Sequence, residues 1–305
     1  MINYGKGICY SGYRAGQSPI TKIYPTYEEI LEDLLILQGQ FDYLRMYDPY
    51  QHAQTVLKVI RDHHLNFKVM LGVEPKGEIS NPNCPWGGLH SDEEIEKNKT
   101  ENYKQLDFLA HLANQFPEIV LALAVGNENT SEWHHNLMPA ETLAKHVEYL
   151  RAQSKFPITF CEGAYAWNRH CHALGSVVDF ISIHSYPLWV RKSLGEALDL
   201  NQHDYNETIQ TYPGKQIIFT EFGWATSSSG QMNAEDTNEP AQKTYLEQVE
   251  KWAIDHHIIM FVFEAFDEPW KGSDNPLEPE KHWGIYNLDR TPKLAYKTRG
   301  RKNGR

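Results

Sequence analysis

Short apolar segments recur along the whole chain and are separated by longer segments in which apolar and polar residues mix. The short segments are four to seven residues long, a length typical of strands. Most of them are apolar without alternation, as in parallel strands that are buried on both faces. The eight predicted strands cover residues 7–10, 43–47, 67–73, 119–125, 158–161, 180–183, 216–220 and 259–263.

The segments between these strands carry helix signals. Thr26 and Glu29 form a capping-box pattern ahead of apolar residues at helical spacing, and Ser91 and Glu94 repeat the pattern. Pro139 suits the first turn of another helix. Further helices are predicted over residues 241–257 and 292–298.

Strand and helix alternate eight times without a Gly/Ser-rich linker or a break in composition. This order favours a single α/β domain, a (β/α)8 TIM barrel, over a doubly wound sheet with an added domain. We expect the barrel to occupy residues 1–298 and the basic tail, residues 299–305, to be disordered.

The charge of the chain narrows the class of partner. With 29 basic and 40 acidic residues, the formal net charge is −11. This balance disfavours a nucleic acid or an anionic membrane as partner and favours a neutral ligand. No segment is apolar enough to span a membrane, and we expect a monomer.

The amino terminus lacks the apolar stretch of a secretory signal. We therefore expect a cytoplasmic protein if the sequence is full length, and a periplasmic or secreted one if a signal peptide has been removed. Four cysteines are too few for a disulfide scaffold, so we expect free thiols.

Two glutamates follow apolar strands on opposite sides of the predicted barrel. Glu128 ends the run LALAVGNEN at residues 121–129, and Glu221 ends IIFTE at residues 217–221. Strands four and seven are three places apart in an eight-membered ring, so both carboxylates should face the mouth of the barrel. Opposed carboxylates suit glycoside hydrolysis, in which one protonates the departing oxygen and the other attacks the anomeric carbon or activates water.

Other polar and aromatic residues follow the predicted strands. Asn127 could donate to a sugar hydroxyl, and Tyr186 could hold the Glu221 carboxylate by a hydrogen bond. Trp224, Trp270 and Trp283 fit either stacking on sugar rings or core packing. The remaining candidates at strand ends are Arg45, Tyr47, Trp86, His184, Glu264, Glu268 and Lys271.

Five motifs occur in an order that resembles glycoside hydrolase family 17, the β-1,3-glucanase family, along essentially the whole chain. They are LRMYDP (44–49), VGNE (125–128), TEFGW (220–224), FDEPWK (266–271) and EKHWGIY (280–286). TEFGW departs from the plant pattern at Phe222. RAGQSP (14–19) resembles bacterial members, which include glucan-transferring enzymes.

The resemblance implies a barrel and a retaining mechanism, with Glu128 as acid/base and Glu221 as nucleophile. It also implies a catalytic subsite lined by Tyr47, Glu268, Lys271 and Glu280. For the last three, a structural ion-pair network is an equal reading.

These observations predict a retaining hydrolase of laminarin-type β-1,3-glucan. A β-1,3-glucanosyltransferase that uses the same glycosyl-enzyme is the alternative, and a non-catalytic glucan-binding barrel is a third reading. Trp86 lies in a long Gly/Pro-rich loop, residues 74–90, where it could stack on an acceptor sugar or pack within the loop.

The 15 histidines raise the alternative of a metal centre. Adjacent pairs of histidines diverge on a helix, and only His184 ends a predicted strand. The first strand carries no His-x-His motif, and no Gly-rich phosphate-binding loop is present. We therefore predict neither a metal nor a cofactor.

Overall fold

The structure, a computed structural model, describes residues 1–297. Eight parallel strands form a closed barrel in chain order, and β1 pairs with both β2 and β8. The predicted (β/α)8 barrel is confirmed, while the predicted basic tail lies outside the described residues. The strands are β1 (Lys6–Cys9), β2 (Tyr43–Arg45), β3 (Lys68–Gly72), β4 (Val120–Asn127), β5 (Ile158–Gly163), β6 (Ile181–Ser185), β7 (Ile217–Phe222) and β8 (Met260–Val262).

Helices surround the barrel, and their ends follow the capping signals. Thr26 and Ser91 each accept a hydrogen bond from the backbone of the glutamate three residues on, as the capping boxes predict. Pro139 is the N-cap residue of α4, immediately before the first turn in which the sequence predicts it. The helices are α1 (Tyr27–Leu37), α2 (Gln51–Asp62), α3 (Asp92–Gln115), α4 (Ala140–Arg151), α5 (Ala164–His170), α6 (His172–Val177), α7 (Leu194–Thr211) and α8 (Glu239–His256).

The helix predicted over residues 292–298 is wrong within the described part of that segment. Residues 294–297 form turns, and Pro292 bridges to Tyr286 as in a short strand pair. The reason is the side chain of Lys293, whose Nζ is buried and lies 2.7 Å from Oδ1 of Asp267. This contact holds the segment against the loop that follows β8.

Irregular strand pairing near the carboxyl ends shapes the mouth of the barrel. The register shifts between Ala124 and Asn127 where β4 meets β5, and between Ile183 and His184 where β6 meets β7. Such irregularities redirect side chains at the rim of a barrel. Here they lie next to the polar residues of strands four, six and seven.

Two further expectations from the sequence concern the helices and the cysteines of the described residues. None of the helices within residues 1–297 is long and apolar enough to cross a membrane. All four cysteines are free thiols, as predicted.

Candidate active site

The carboxyl ends of the strands open into a cleft of about 1740 Å³. Twelve of the fifteen residues that the sequence singles out line this cleft, so the fold brings them together from six different strand ends and loops. They are Tyr47, Trp86, Asn127, Glu128, His184, Tyr186, Glu221, Glu268, Trp270, Lys271, Glu280 and Trp283.

Glu221 lies in β7 and is held through both carboxylate oxygens. Arg45 and Tyr47 donate to Oε1, the tyrosine at 3.0 Å, and Tyr186 donates to Oε2 at 2.6 Å. Burial acts to raise the pKa of Glu221, but the charges of His184 and Arg45 and the hydrogen bonds outweigh it and lower the pKa to about 2. Glu221 is therefore an ionised carboxylate in a fixed orientation, as a nucleophile requires.

Glu128 follows β4 directly and has a left-handed backbone, with φ at 56°. Side chains normally alternate along a strand, so two successive residues should not face the same side. Asn127 already faces the barrel interior, where its Oδ1 lies 2.5 Å from a guanidinium nitrogen of Arg45. The left-handed turn at Glu128 breaks the alternation and brings its side chain, 22% exposed, into the cleft as well.

His184 lies between the two glutamates. Its Nδ1 is 2.8 Å from Oε1 of Glu128 and 3.5 Å from Oε2 of Glu221. Burial acts to lower the pKa of His184, but the charge of Glu221 and the contacts with Cys161 and Glu128 outweigh it and raise the pKa to about 10. From the sequence, His184 is a strand-end histidine without a role; in the structure it is the cation between the carboxylates.

Glu128, His184 and Glu221 also have the spacing of a metal-ligand set, since one possible ligand atom from each lies within 4.8 Å of the others. A histidine must be neutral to bind a metal. In the present arrangement Nδ1 of His184 contacts the two carboxylates directly, and the absence of a metal centre stays a prediction.

Lys271 lies in a buried ion-pair cluster on the wall of the cleft formed after β8. Its Nζ is 2.6 Å from Oε2 of Glu264 and 2.5 Å from Oε2 of Glu268, and Ser11 donates to the other oxygen of Glu268. The sequence motifs group Lys271 with Glu268 and Glu280. In the structure Glu264, a residue given no role there, replaces Glu280 as the second partner.

Glu280 lines the cleft from a short 3-10 turn, Pro279–Lys281, and has no ion pair within the described residues. Burial raises its pKa to about 7, although the charge of Lys271 opposes this effect. Glu280 therefore adds a carboxyl group to the cleft that titrates near neutral pH.

Arg45 and Trp224, two candidates from the sequence, do not line the cleft. Arg45 is 3% exposed, and its guanidinium group donates to the Glu221 carboxylate. It therefore orients Glu221 and is not exposed to a ligand. Trp224 is fully buried, and its ring packs on Tyr245 of α8 at 4.8 Å. Phe222 contacts the same tyrosine, so both side chains lie on the outer face of β7 and its extension, opposite Glu221.

The other candidate tryptophans all border the cleft but differ in how far they are exposed. Trp86 is 66% exposed at the cleft, as stacking on a ligand would require. Trp270 also lines the cleft, and its Nε1 donates to Glu268 at 3.1 Å. Trp283 also borders the cleft, but it is only 1% exposed and packs on Tyr186, with ring centroids 5.1 Å apart.

Comparison with known proteins agrees with this geometry. Residues 7–284 match the BtgE/BtgC glycoside hydrolase domain. Over 249 residues, 75% of this chain and 71% of the other, the sequence is 27% identical to a glucan 1,3-beta-glucosidase of Arthroderma benhamiae. A glucan 1,3-beta-glucosidase of Schizosaccharomyces pombe is 26% identical over 87% of this chain and 79% of its own. An endo-laminarinase from Formosa, 26% identical, superposes with a TM-score of 0.78 over 95% of this chain and 85% of its own. The chain therefore belongs to the BtgE/BtgC glycoside hydrolase family and is a glycosidase.

Proposed function

We propose that the protein cleaves β-1,3-glucan with retention of anomeric configuration, by double displacement between Glu221 and Glu128. The observation that carries this proposal is the spacing of the two carboxylates, with one oxygen of each within 4.8 Å of the other. Retaining glycosidases have carboxyl groups about 5 to 5.5 Å apart, whereas inverting enzymes leave about 6.5 to 9.5 Å for a water molecule.

The two glutamates take different roles in the two steps. Glu221, ionised and oriented by Tyr186 and Arg45, attacks the anomeric carbon while Glu128 protonates the departing glycosidic oxygen. A water molecule then releases the sugar from Glu221, with Glu128 taking its proton. Asn127 accepts from Arg45 through Oδ1, which leaves its amide NH₂ to donate to a sugar hydroxyl in the transition state.

The substrate assignment rests on the motifs and on the relatives. Two relatives are named glucan 1,3-beta-glucosidases, and the structural neighbour is named an endo-laminarinase. Together with the five motifs, these names support β-1,3-glucan as the substrate and family 17 as the finer classification. The bacterial-type assignment depends on RAGQSP alone, and the two curated relatives come from fungi. Action as a monomer stays a prediction.

Glucan transfer is the second candidate function. The cleft is large enough for sugars on both sides of the scissile bond, and Trp86 offers an exposed ring at its edge. A second glucan bound there would compete with water for the glycosyl-enzyme. A non-catalytic binding role is less consistent with the site, because both carboxylates are present and oriented.

Time-resolved analysis of products from a ladder of β-1,3-glucan oligosaccharides tests these assignments together. We expect shorter β-1,3-oligosaccharides, with products longer than the substrate at high concentration if transfer competes. Turnover of β-1,4-linked oligosaccharides with no turnover of the β-1,3 series would overturn the substrate assignment. No turnover of any β-glucoside would favour the binding role.

A further inference from the structure

Glu162, in β5, is a buried carboxylate that the mechanism above does not use. The side chain is 0% exposed, and four groups donate to it. Thr130 donates to Oε2 through its backbone nitrogen at 3.1 Å and through its hydroxyl at 2.6 Å. The Ser131 hydroxyl donates to Oε1 at 2.9 Å, and the backbone nitrogen of Gly163 does so at 2.7 Å.

Three of these four donors belong to the turn that begins at Glu128. The Ser131 nitrogen donates to the Glu128 carbonyl at 3.2 Å, and the Glu128 nitrogen donates to the Cys161 carbonyl at 2.8 Å. The left-handed backbone of Glu128 is unfavourable for a residue with a Cβ and persists only where its surroundings impose it. Glu162 is the side chain that binds this turn from the β5 side.

A buried carboxylate at position 162 would be unfavourable if the side chain contributed to stability alone. Burial and the nearby charge of Glu128 raise the pKa of Glu162 to about 7, although the hydrogen bonds from Thr130, Gly163 and Ser131 oppose this effect. Only a carboxylate offers two acceptor oxygens to four donors, since an amide would turn its NH₂ group toward two of them.

We propose that Glu162 is a positioning residue for the acid/base Glu128: its two oxygens hold the turn at Thr130 and Ser131 and so fix the Glu128 carboxyl against the departing glycosidic oxygen. This inference rests on the proposed acid/base role of Glu128. Glu162 borders the cleft, but its side chain is fully buried behind the turn and is not placed to contact a ligand. It should therefore act on protonation of the leaving group and not on attack by Glu221.

Substrates with different leaving groups distinguish an effect on leaving-group protonation from an effect on attack by Glu221. Glucosides with an activated aryl leaving group need little protonation, whereas β-1,3-linked oligosaccharides need a well-placed acid. In Glu162→Gln we expect kcat/KM for the oligosaccharide to fall on the order of 100-fold, the effect of misplacing a catalytic group by about 1 Å. For a dinitrophenyl β-glucoside we expect a loss of less than about threefold, since attack by Glu221 is unaffected.

Glu78→Gln is the matched control. Its side chain is 8% exposed, accepts from Asn102 at 2.9 Å and does not line the cleft. It should lower the free energy of unfolding without changing the ratio of the two kcat/KM values.

A second pair of variants covers the case in which Glu162→Gln does not fold. Thr130→Val removes the hydroxyl that donates to Glu162 at 2.6 Å, and Thr130→Ser keeps it. The valine variant should show the same selective loss on the oligosaccharide, and the serine variant should return the ratio toward that of the wild type.

Glu128→Ala, measured in parallel, separates failure of this inference from failure of the proposed function. Suppose that Glu128→Ala loses activity selectively on the oligosaccharide. If Glu162→Gln and Thr130→Val then lose activity equally on both substrates, or lose none, the role of Glu162 alone is overturned. Equal losses on both substrates in Glu128→Ala overturn the acid/base assignment on which it rests.

Discussion

The imidazole of His184 and the carboxyl group of Glu128 share a 2.8 Å contact between Nδ1 and Oε1. The same nitrogen lies 3.5 Å from Glu221, so one buried imidazole faces both carboxylates of the candidate active site. Because its pKa is raised to about 10, His184 carries a positive charge at neutral pH and compensates the charge of Glu221.

The charge of Glu221 should therefore control the titration of His184. In Glu221→Gln we expect the pKa of His184 to fall below about 10. Burial lowers this pKa, and the substitution removes the charge of Glu221, which is the largest effect that raises it. The imidazole resonances in an NMR pH titration measure the change. Glu280→Gln is the control, since Glu280 lines the same cleft without contacting His184. An unchanged His184 titration in Glu221→Gln would contradict the coupling.

Trp224 should contribute to stability and not to substrate binding. Its Nε1 donates to the carbonyl of Asp236 at 2.8 Å, and Trp224→Phe removes that donor from a buried site. We expect the free energy of unfolding to fall by about 1 to 3 kcal/mol, with KM for a β-1,3-oligosaccharide unchanged. Trp270→Phe, which alters the cleft wall, should raise KM. A raised KM in Trp224→Phe at unchanged stability would restore its substrate-binding role.

Lys271 should stabilise the fold in a pH-dependent way. Burial and the charge of Glu268 raise the pKa of Glu264 well above its ordinary value, and Lys271 opposes this. In Lys271→Met two buried carboxyl groups lose their shared cation, which costs about 3 to 5 kcal/mol where both would be ionised.

The sign of that pH dependence follows from linkage. An acid whose folded-state pKa is raised destabilises the fold as pH rises above its ordinary pKa of 4.5, because the folded state must then lose a proton it binds more tightly. Urea unfolding of Lys271→Met should therefore show a larger deficit at neutral pH than near pH 4. Lys281→Met is the control, since within residues 1–297 Lys281 Nζ donates to two backbone carbonyls, those of Pro269 and Lys271, and pairs with no carboxylate. A pH-independent deficit in Lys271→Met would count against the cluster.

Trp86 should favour transfer over hydrolysis. Its exposed ring can hold an acceptor sugar near the glycosyl-enzyme, so Trp86→Ala should lower the ratio of elongated to hydrolysed products. Mass spectrometry of products from a single β-1,3-oligosaccharide at millimolar concentration measures that ratio. Leu89→Ala, on the same loop, 73% exposed and outside the cleft, should leave it unchanged. If no elongated product forms, or if both variants behave alike, the acceptor role of Trp86 is wrong.

The barrel could be predicted because its strands are apolar on both faces and its helices begin at recognisable caps. Thr26 with Glu29 and Ser91 with Glu94 fix two helix starts through local hydrogen bonds, which a sequence displays directly. The closing segment could not be predicted, because the long-range pair between Lys293 and Asp267 replaces the helix.

The two opposed glutamates were also predictable, since strand order alone brings the ends of β4 and β7 together. Their surroundings were not. The sequence does not show which way a side chain faces beyond a strand end, and for this reason Trp224 fits both the cleft and the core from its sequence alone. The sequence also does not show that the backbone of Glu128 is left-handed. Nor does it show that His184 pairs with Glu128, or that Glu264 pairs with Lys271.

The most direct test of the account is chemical rescue of Glu221→Gly. Removing the carboxylate should abolish turnover of an activated β-glucoside, and azide, which fits the space left by the side chain, should restore it by attacking the anomeric carbon from the same side. NMR of the product should show the α-glucosyl azide, inverted relative to the substrate. Failure of azide to restore turnover, or formation of the β-glucosyl azide, would contradict the assignment of Glu221 as the nucleophile.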